Sequence, residues 1–149
     1  MKRLFLVVPA LVAALLGCAS GPTETYRAVG ADAATTAVGL SAPGIAEVNP
    51  LGWATVPLRI FLIEQARHMP EAQGKPRLHA LTAAGYGAAL SNLLVLSGAP
   101  VLLGPIAGLA LAAYLWREGE TEREFARLCE VHRSYQSQLR CEWTAVSMK

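Results

Sequence analysis

From Leu78 to Trp116 the chain runs for 39 residues without an Asp, Glu, Lys or Arg. A soluble domain places a charge at about one residue in four, so this stretch limits the fold more than any other feature. It fits two apolar helices of about 18 to 20 residues each. Ser97-Gly98-Ala99-Pro100 divides it, because Gly ends a helix readily and Pro is tolerated where the next begins. The expectation is a tight helical hairpin. Gly104, Gly108 and Ala112, four residues apart, give its second helix a narrow ridge for close approach. Gly85 with Ala89, or Ala84 with Ala88, offers a matching face on the first. The alternative, a buried hairpin of a soluble protein, lacks enough other chain to cover it.

The N-terminus carries an address. Lys2 and Arg3 precede an apolar run from Leu4 to Leu16, which ends in Leu15-Leu16-Gly17-Cys18. That run is too short for a span of about 20 residues and has the length of a signal-peptide core. The whole resembles a bacterial lipoprotein signal peptide. The resemblance implies removal of residues 1–17 and acylation of Cys18, with membrane lipid as a partner. Of 13 Lys+Arg and 11 Asp+Glu in the chain, with a net charge of +2, losing Lys2 and Arg3 leaves 11 against 11. A neutral remainder excludes a nucleic-acid footprint. Removing Cys18 from the three cysteines leaves Cys129 and Cys141, an even pair for a compartment that permits disulfides.

Residues 18–116 read as a membrane helical bundle of three to four apolar helices, and 117–149 as an amphipathic, disulfide-containing tail. The fold class is all-α. Ala28 to Ala46 is a weak first span, with Asp32 near its start and Pro43 near its end. Leu51 to Gln65 is a short apolar helix with Arg59 in its middle, either a tilted span or an interfacial helix. His68 to Arg77, with Pro70, Gly74 and Pro76, reads as a solvated loop. Starting outside at Cys18, four crossings return the tail to the periplasm; if the second helix lies on the surface, the tail is cytoplasmic.

Asp32-Ala33-Ala34-Thr35-Thr36, followed by Glu47, Asn49 and Pro50, resembles a family of small multi-span membrane proteins of bacteria and archaea. Its members carry Asp-x-x-Thr-Thr on the first span and Glu-x-Asn-Pro at its far end. Asn92-Leu93-Leu94-Val95 resembles the end of their third span more loosely, and Arg59 stands where their second helix has a basic residue. The resemblance implies a helical membrane bundle and no particular reaction.

Asp32, Thr35 and Thr36 fall at i, i+3 and i+4, so on a helix they share a face. A carboxylate in hydrocarbon costs about 2.5 to 3.5 kcal/mol. It should therefore face the bundle, with Arg59 as its charged partner and Asn92 as a third member; Glu47 and Asn49 complete the intramembrane polar group. The competing reading makes Asp32 the cap of a helix starting at Ala33, has Thr35 and Thr36 bond back to carbonyls, and makes Glu47-x-Asn49-Pro50 a polar turn.

The tail opens with Glu118, Glu120, Glu122 and Glu124 and continues with Arg127, Arg133 and Arg140, an order that suits a helix dipole. Phe125, Leu128, Cys129, His132, Tyr135 and Leu139 make an apolar-leaning stripe. A Cys129–Cys141 bond requires this helix to break, because twelve helical residues span about 18 Å and a disulfide needs Cα atoms within about 7 Å. Ser134 to Ser137 is the expected turn. His68, His79 and His132 show no ligand spacing, and Ser91 and Ser97 lie in no nucleophile motif, so neither a metal nor a cofactor is expected and hydrolase and nucleotide readings have no support. Two function classes remain. One is a lipid-anchored inner-membrane protein with a structural or partner-binding role, its partner an envelope protein or a second copy meeting small-residue helix faces. The other is a small membrane enzyme or permeation unit using Asp32, Glu47 and Arg59. Ala19 after the cysteine leaves sorting to the outer membrane open.

Overall fold

The computed structural model describes residues 21–41, 52–100 and 102–135, and these are all-helical. Five helices follow in order: α1 (Pro22–Ser41), α2 (Gly52–Arg67), α3 (Glu71–Leu96), α4 (Leu103–Glu118) and α5 (Glu120–Tyr135). Cys18, Pro43, Glu47, Asn49 and Cys141 lie outside the described residues.

The first helix begins earlier than the apolar pattern implied. Pro22 occupies its first position, where a missing N–H is harmless, and Glu24 lies in its first turn. Asp32 therefore sits in mid-helix, and the reading of it as a cap is wrong. The loop expected over His68 to Arg77 shrinks to residues 68–70, because α3 starts at Glu71. Two backbone bonds to the Pro70 carbonyl, from Gln73 (2.9 Å) and Gly74 (2.8 Å), close its first turn. Lys75 Nζ lies 3.2 Å from Glu71 Oε1 one turn away. Gly74 is no breaker here. A Cβ on it would collide with the Ala66 carbonyl, so the absent side chain lets the start of α3 close on the end of α2.

The hairpin of α3 and α4 forms as expected. Gly98 takes a positive φ of 82° and donates to Val95 O (3.0 Å), while Ala99 donates to Leu94 O (3.0 Å). This is the paired C-terminal cap that a left-handed glycine permits. Pro105 follows at the third position of α4, where the N–H has no partner inside the helix to lose.

All the other helices pack on α3. α1 runs parallel to it at a constant offset of 57 residues: the hydroxyls of Thr25 and Thr82 lie 2.9 Å apart, Asn92 bonds Thr35, and Ala28 faces Gly85. α4 runs antiparallel on another face. Its ridge of Gly104 and Gly108 meets Gly87 and Ser91, not the Gly85/Ala89 or Ala84/Ala88 faces expected from the sequence. A Cβ on Gly87 would stand 2.5 Å from Gly108 O, and one on Gly104 2.8 Å from Ser91 O. α3 thus has two small faces, one for each neighbour. α2 fills the angle between α1 and α3, where Val29, Ile63, Ala66 and Leu78 form a small apolar core.

α5 turns off at Gly119 and lies against the N-terminal half of α3 rather than along α4. Ala126 and Cys129 are its buried residues, whereas Leu128, Val131 and Tyr135 are exposed, so the packed face is offset from the expected stripe. The helix is continuous through Tyr135, so the turn expected over Ser134 to Ser137 does not start at Ser134, and Gln136 and Ser137 lie outside the described residues. Among the described residues, α3 is the one helix long and apolar enough to cross a membrane. α2 and α4 have only 16 residues each.

The glycine contacts yield a paired prediction. Gly108→Val forces α4 away from Gly87 and should destabilise the chain by about 2 to 3 kcal/mol. Gly30, in the middle of α1 with nothing within 4 Å of a Cβ, behaves oppositely: Gly30→Ala should stabilise it by about 0.5 to 1 kcal/mol. Denaturant unfolding of the purified chain followed by circular dichroism measures both.

Candidate functional site

Asp32 is 8% exposed and lies where α1, α2 and α3 meet. Its carboxylate is divided between two donors. Arg59 Nη1 from α2 donates to Oδ2 as an ion pair. Asn92 Nδ2 from α3 lies 3.1 Å from Oδ1. The same amide nitrogen is 3.2 Å from Thr35 Oγ1 and 3.0 Å from Thr36 Oγ1. Two amide hydrogens thus serve three acceptors, so the contact is shared among them. Thr35 Oγ1 in turn donates to the carbonyls of Ala31 and Asp32, each at 3.0 Å, which leaves its lone pairs directed at Asn92. The back-bonding part of the competing sequence reading is therefore correct for Thr35, while its capping part is not. Asp32, Thr35, Thr36, Arg59 and Asn92 come together as expected; Glu47 and Asn49 fall outside the described residues.

A second polar layer lies nearer the N-terminus of α1. Tyr86 Oη, on α3, donates to Oε1 of buried Glu24, and Arg27 Nη1 lies 3.3 Å from Glu24 Oε2. Thr25, with no exposed surface, bonds both Gly21 O (3.1 Å) and Thr82 Oγ1 (2.9 Å). Tyr26 Oη donates to Glu64 Oε1, and Arg67 Nη1 is 3.0 Å from the same oxygen. The sequence reading missed this layer because it started the helix at Ala28. The signal was present: Glu24, Ala28, Asp32 and Thr35 repeat at intervals of four, four and three, which is one continuous helix face.

These groups are acceptors already holding donors. Among the described residues no buried side-chain nitrogen or oxygen lacks a partner, and no group of three His, Cys, Asp or Glu could hold a metal ion. The arrangement can brace three helices. It offers no exposed base beside a nucleophile, and its carboxylate is neutralised by Arg59 from within the chain.

A buried ion pair makes a testable signature, since one charge left alone costs more than no charge at all. Asp32→Asn and Arg59→Leu should each destabilise the chain by about 3 kcal/mol, and the double variant should recover part of the loss. Unfolding midpoints of the four proteins in the cycle check this; strictly additive losses would show that the two side chains do not act together. No protein-family model, curated protein or solved structure matches the chain.

Proposed function

We propose that this chain is a small lipid-anchored membrane protein of the bacterial cell envelope, with a structural or partner-binding role and no reaction of its own. The observation that carries the reading is the inverted distribution of polarity. Glu24 and Asp32 point into the bundle, while Ile106 and Leu109 on α4 stand outward at 63% and 72% exposure. An apolar outer face of this kind belongs to a contact surface or to lipid, and carboxylates inside a membrane bundle face their partners. From Ala80 to Leu96, α3 carries no charge, which at 1.5 Å per residue is about 26 Å, close to the thickness of the hydrocarbon core.

The parallel packing of α1 and α3 supports one orientation. It brings the start of α1, the end of α2, the start of α3 and the end of α4 to one end of the bundle. Tyr114 and Trp116 stand there, the residue types that favour a membrane interface. Gly21 is three residues from Cys18, so an acyl group on Cys18 enters the membrane within about 10 Å of that end. The tail then lies on the outer side, where Cys129 and Cys141 can pair, and four short crossings fit better than three. The Gly104/Gly108 ridge is already occupied by α3, so a second copy or an envelope partner meets other faces.

The experiment is metabolic labelling with an alkyne fatty acid followed by membrane fractionation. Wild type should take up label and stay with the membrane in alkaline carbonate, and Cys18→Ser should lose the label. Label retained by Cys18→Ser refutes the anchor; wild-type protein released by carbonate refutes the embedded bundle.

A further inference from the structure

The starts of α1 and α3 and the end of α2 enclose a cavity of about 240 Å³. Pro22, Ala66, Met69 and Leu78 give it an apolar wall, and Arg67, Glu71, Lys75 and His79 bound it as well. Along α3 the lining runs from Glu71 to Thr82. It therefore straddles the level at which the charged end of that helix, with Glu71, Lys75 and Arg77, gives way to the charge-free run. Gly21, the first described residue, belongs to the lining too. Its carbonyl accepts from both the backbone N–H (3.0 Å) and the hydroxyl (3.1 Å) of Thr25, so the chain enters the bundle at a fixed point on this cavity. Cys18 is three residues upstream, at most about 10 Å away.

We propose that the cavity seats the glyceryl ester of the lipid on Cys18, a reading that rests on the lipid attachment proposed above. The anchor then packs against the bundle instead of only being tied to it.

The charges around the cavity select a neutral ligand. Arg67 lies 3.0 Å from Glu64, Lys75 3.2 Å from Glu71 and His79 Nε2 3.3 Å from Glu122. Each basic group has a carboxylate, and no surplus of positive charge gathers to hold a free anion. A thioether-linked glyceryl diester is uncharged and offers only acceptors. Donors remain for it, because an ammonium group carries three N–H and a guanidinium five, while the Glu71 contact takes one from Lys75 and the Glu64 contacts use a single nitrogen of Arg67.

Volume sets how much of the lipid enters. Sites that enclose a drug-sized molecule measure about 300 to 1,000 Å³. This smaller one takes the glyceryl ester and the first methylenes, and the chains continue into the bilayer. Glyceryl esters of a bilayer lie in the interfacial layer, between head groups and hydrocarbon. That is the level of the cavity along α3, so a seated lipid keeps its ordinary depth.

A fatty acid with a diazirine beside its carboxyl and a terminal alkyne, fed to cells and photolysed in intact membranes, tests the seat, with crosslinked peptides read by mass spectrometry. In wild type the lipid on Cys18 should join peptides within residues 66–82. The crosslink should be lost in Cys18→Ser, which carries no lipid. It should also be lost in Met69→Trp, whose larger side chain fills the cavity while the label stays on Cys18. Leu109→Trp, at an exposed position on α4, should keep it. Should Met69→Trp fail to accumulate, Pro22→Phe puts the same question. Label on Cys18 with no crosslink to residues 66–82 overturns the seat and leaves the anchor standing. So does a crosslink undiminished by the filled cavity, which is proximity alone, or one lost in Leu109→Trp. A crosslink that persists in Cys18→Ser gives the cavity to a free bilayer lipid and overturns the seat as well. Wild type without label refutes the anchor, and the seat falls with it.

Discussion

The carboxylate of Asp32 sets the register of this bundle. Buried among three helices, it must be satisfied from two directions, and Arg59 on α2 and Asn92 on α3 are the groups that reach it. Turning α3 by one residue would carry Asn92 about 100° around its helix and leave the carboxylate without its neutral donor. The same offset of 57 residues that joins Thr35 to Asn92 also joins Thr25 to Thr82 and brings Ala28 onto Gly85. Polar matching and close backbone approach therefore specify one parallel packing of α1 on α3. Neither would be so selective alone, since small residues slide past one another and a hydrogen bond can be made from several registers.

That division of labour explains what could be read in advance. The hairpin was legible because a charge-free run broken by Ser97-Gly98-Ala99-Pro100 has few other solutions, and Gly98 adopts the backbone only glycine adopts readily. The trio of Asp32, Arg59 and Asn92 was legible from cost, as a charge in an apolar chain needs a partner and the candidates were few. The face that α3 shows to α4 was not. α3 is small-sided nearly all round, with Ala83, Ala84, Gly85, Gly87, Ala88 and Ala89 within two turns, and one helix's spacing cannot tell which small face meets which neighbour. The start of α3 was hidden for a different reason: Gly74 and Pro76 are breakers by propensity, and the close packing of Gly74 on Ala66 O overrides it. Glu24 and Tyr86 were missed through the misplaced start of α1, six residues too late.

Interior polarity also bears on what the protein can do. A catalytic carboxylate has to be available to a substrate, at least in part. Asp32 is held by donors from two other helices, and Glu24 by Tyr86 from α3 and by Arg27 on its own helix. Their chemistry is that of braces, which is the observation behind the proposed structural or partner-binding role. In that reading, the apolar outer faces of α4 and α2, with Ile106 and Leu109 on one and Leu58 and Phe61 on the other, are the surfaces through which lipid or a partner would meet the bundle.

One tension in the proposed orientation is reduced by the same local pairing. The end of the bundle nearest Cys18 holds Arg27, Arg67 and Lys75, whereas Lys and Arg ordinarily collect on the cytoplasmic side. Each of these three has a carboxylate one turn away: Glu24 at 3.3 Å, Glu64 at 3.0 Å and Glu71 at 3.2 Å. On a helix such pairs form locally, so they can assemble as each segment folds and before the bundle packs. In the proposed orientation these three pairs present little net charge to the membrane surface, and Arg77 and Arg117 are the cations of that end still subject to the positive-inside tendency. In the proposed reading the leader acts earlier in synthesis. With Lys2 and Arg3 ahead of its apolar run, such a leader would commit the start of the mature chain to the outer face before any of these later cations has emerged. On that reading, the parallel packing of α1 and α3 would carry the commitment through to α5.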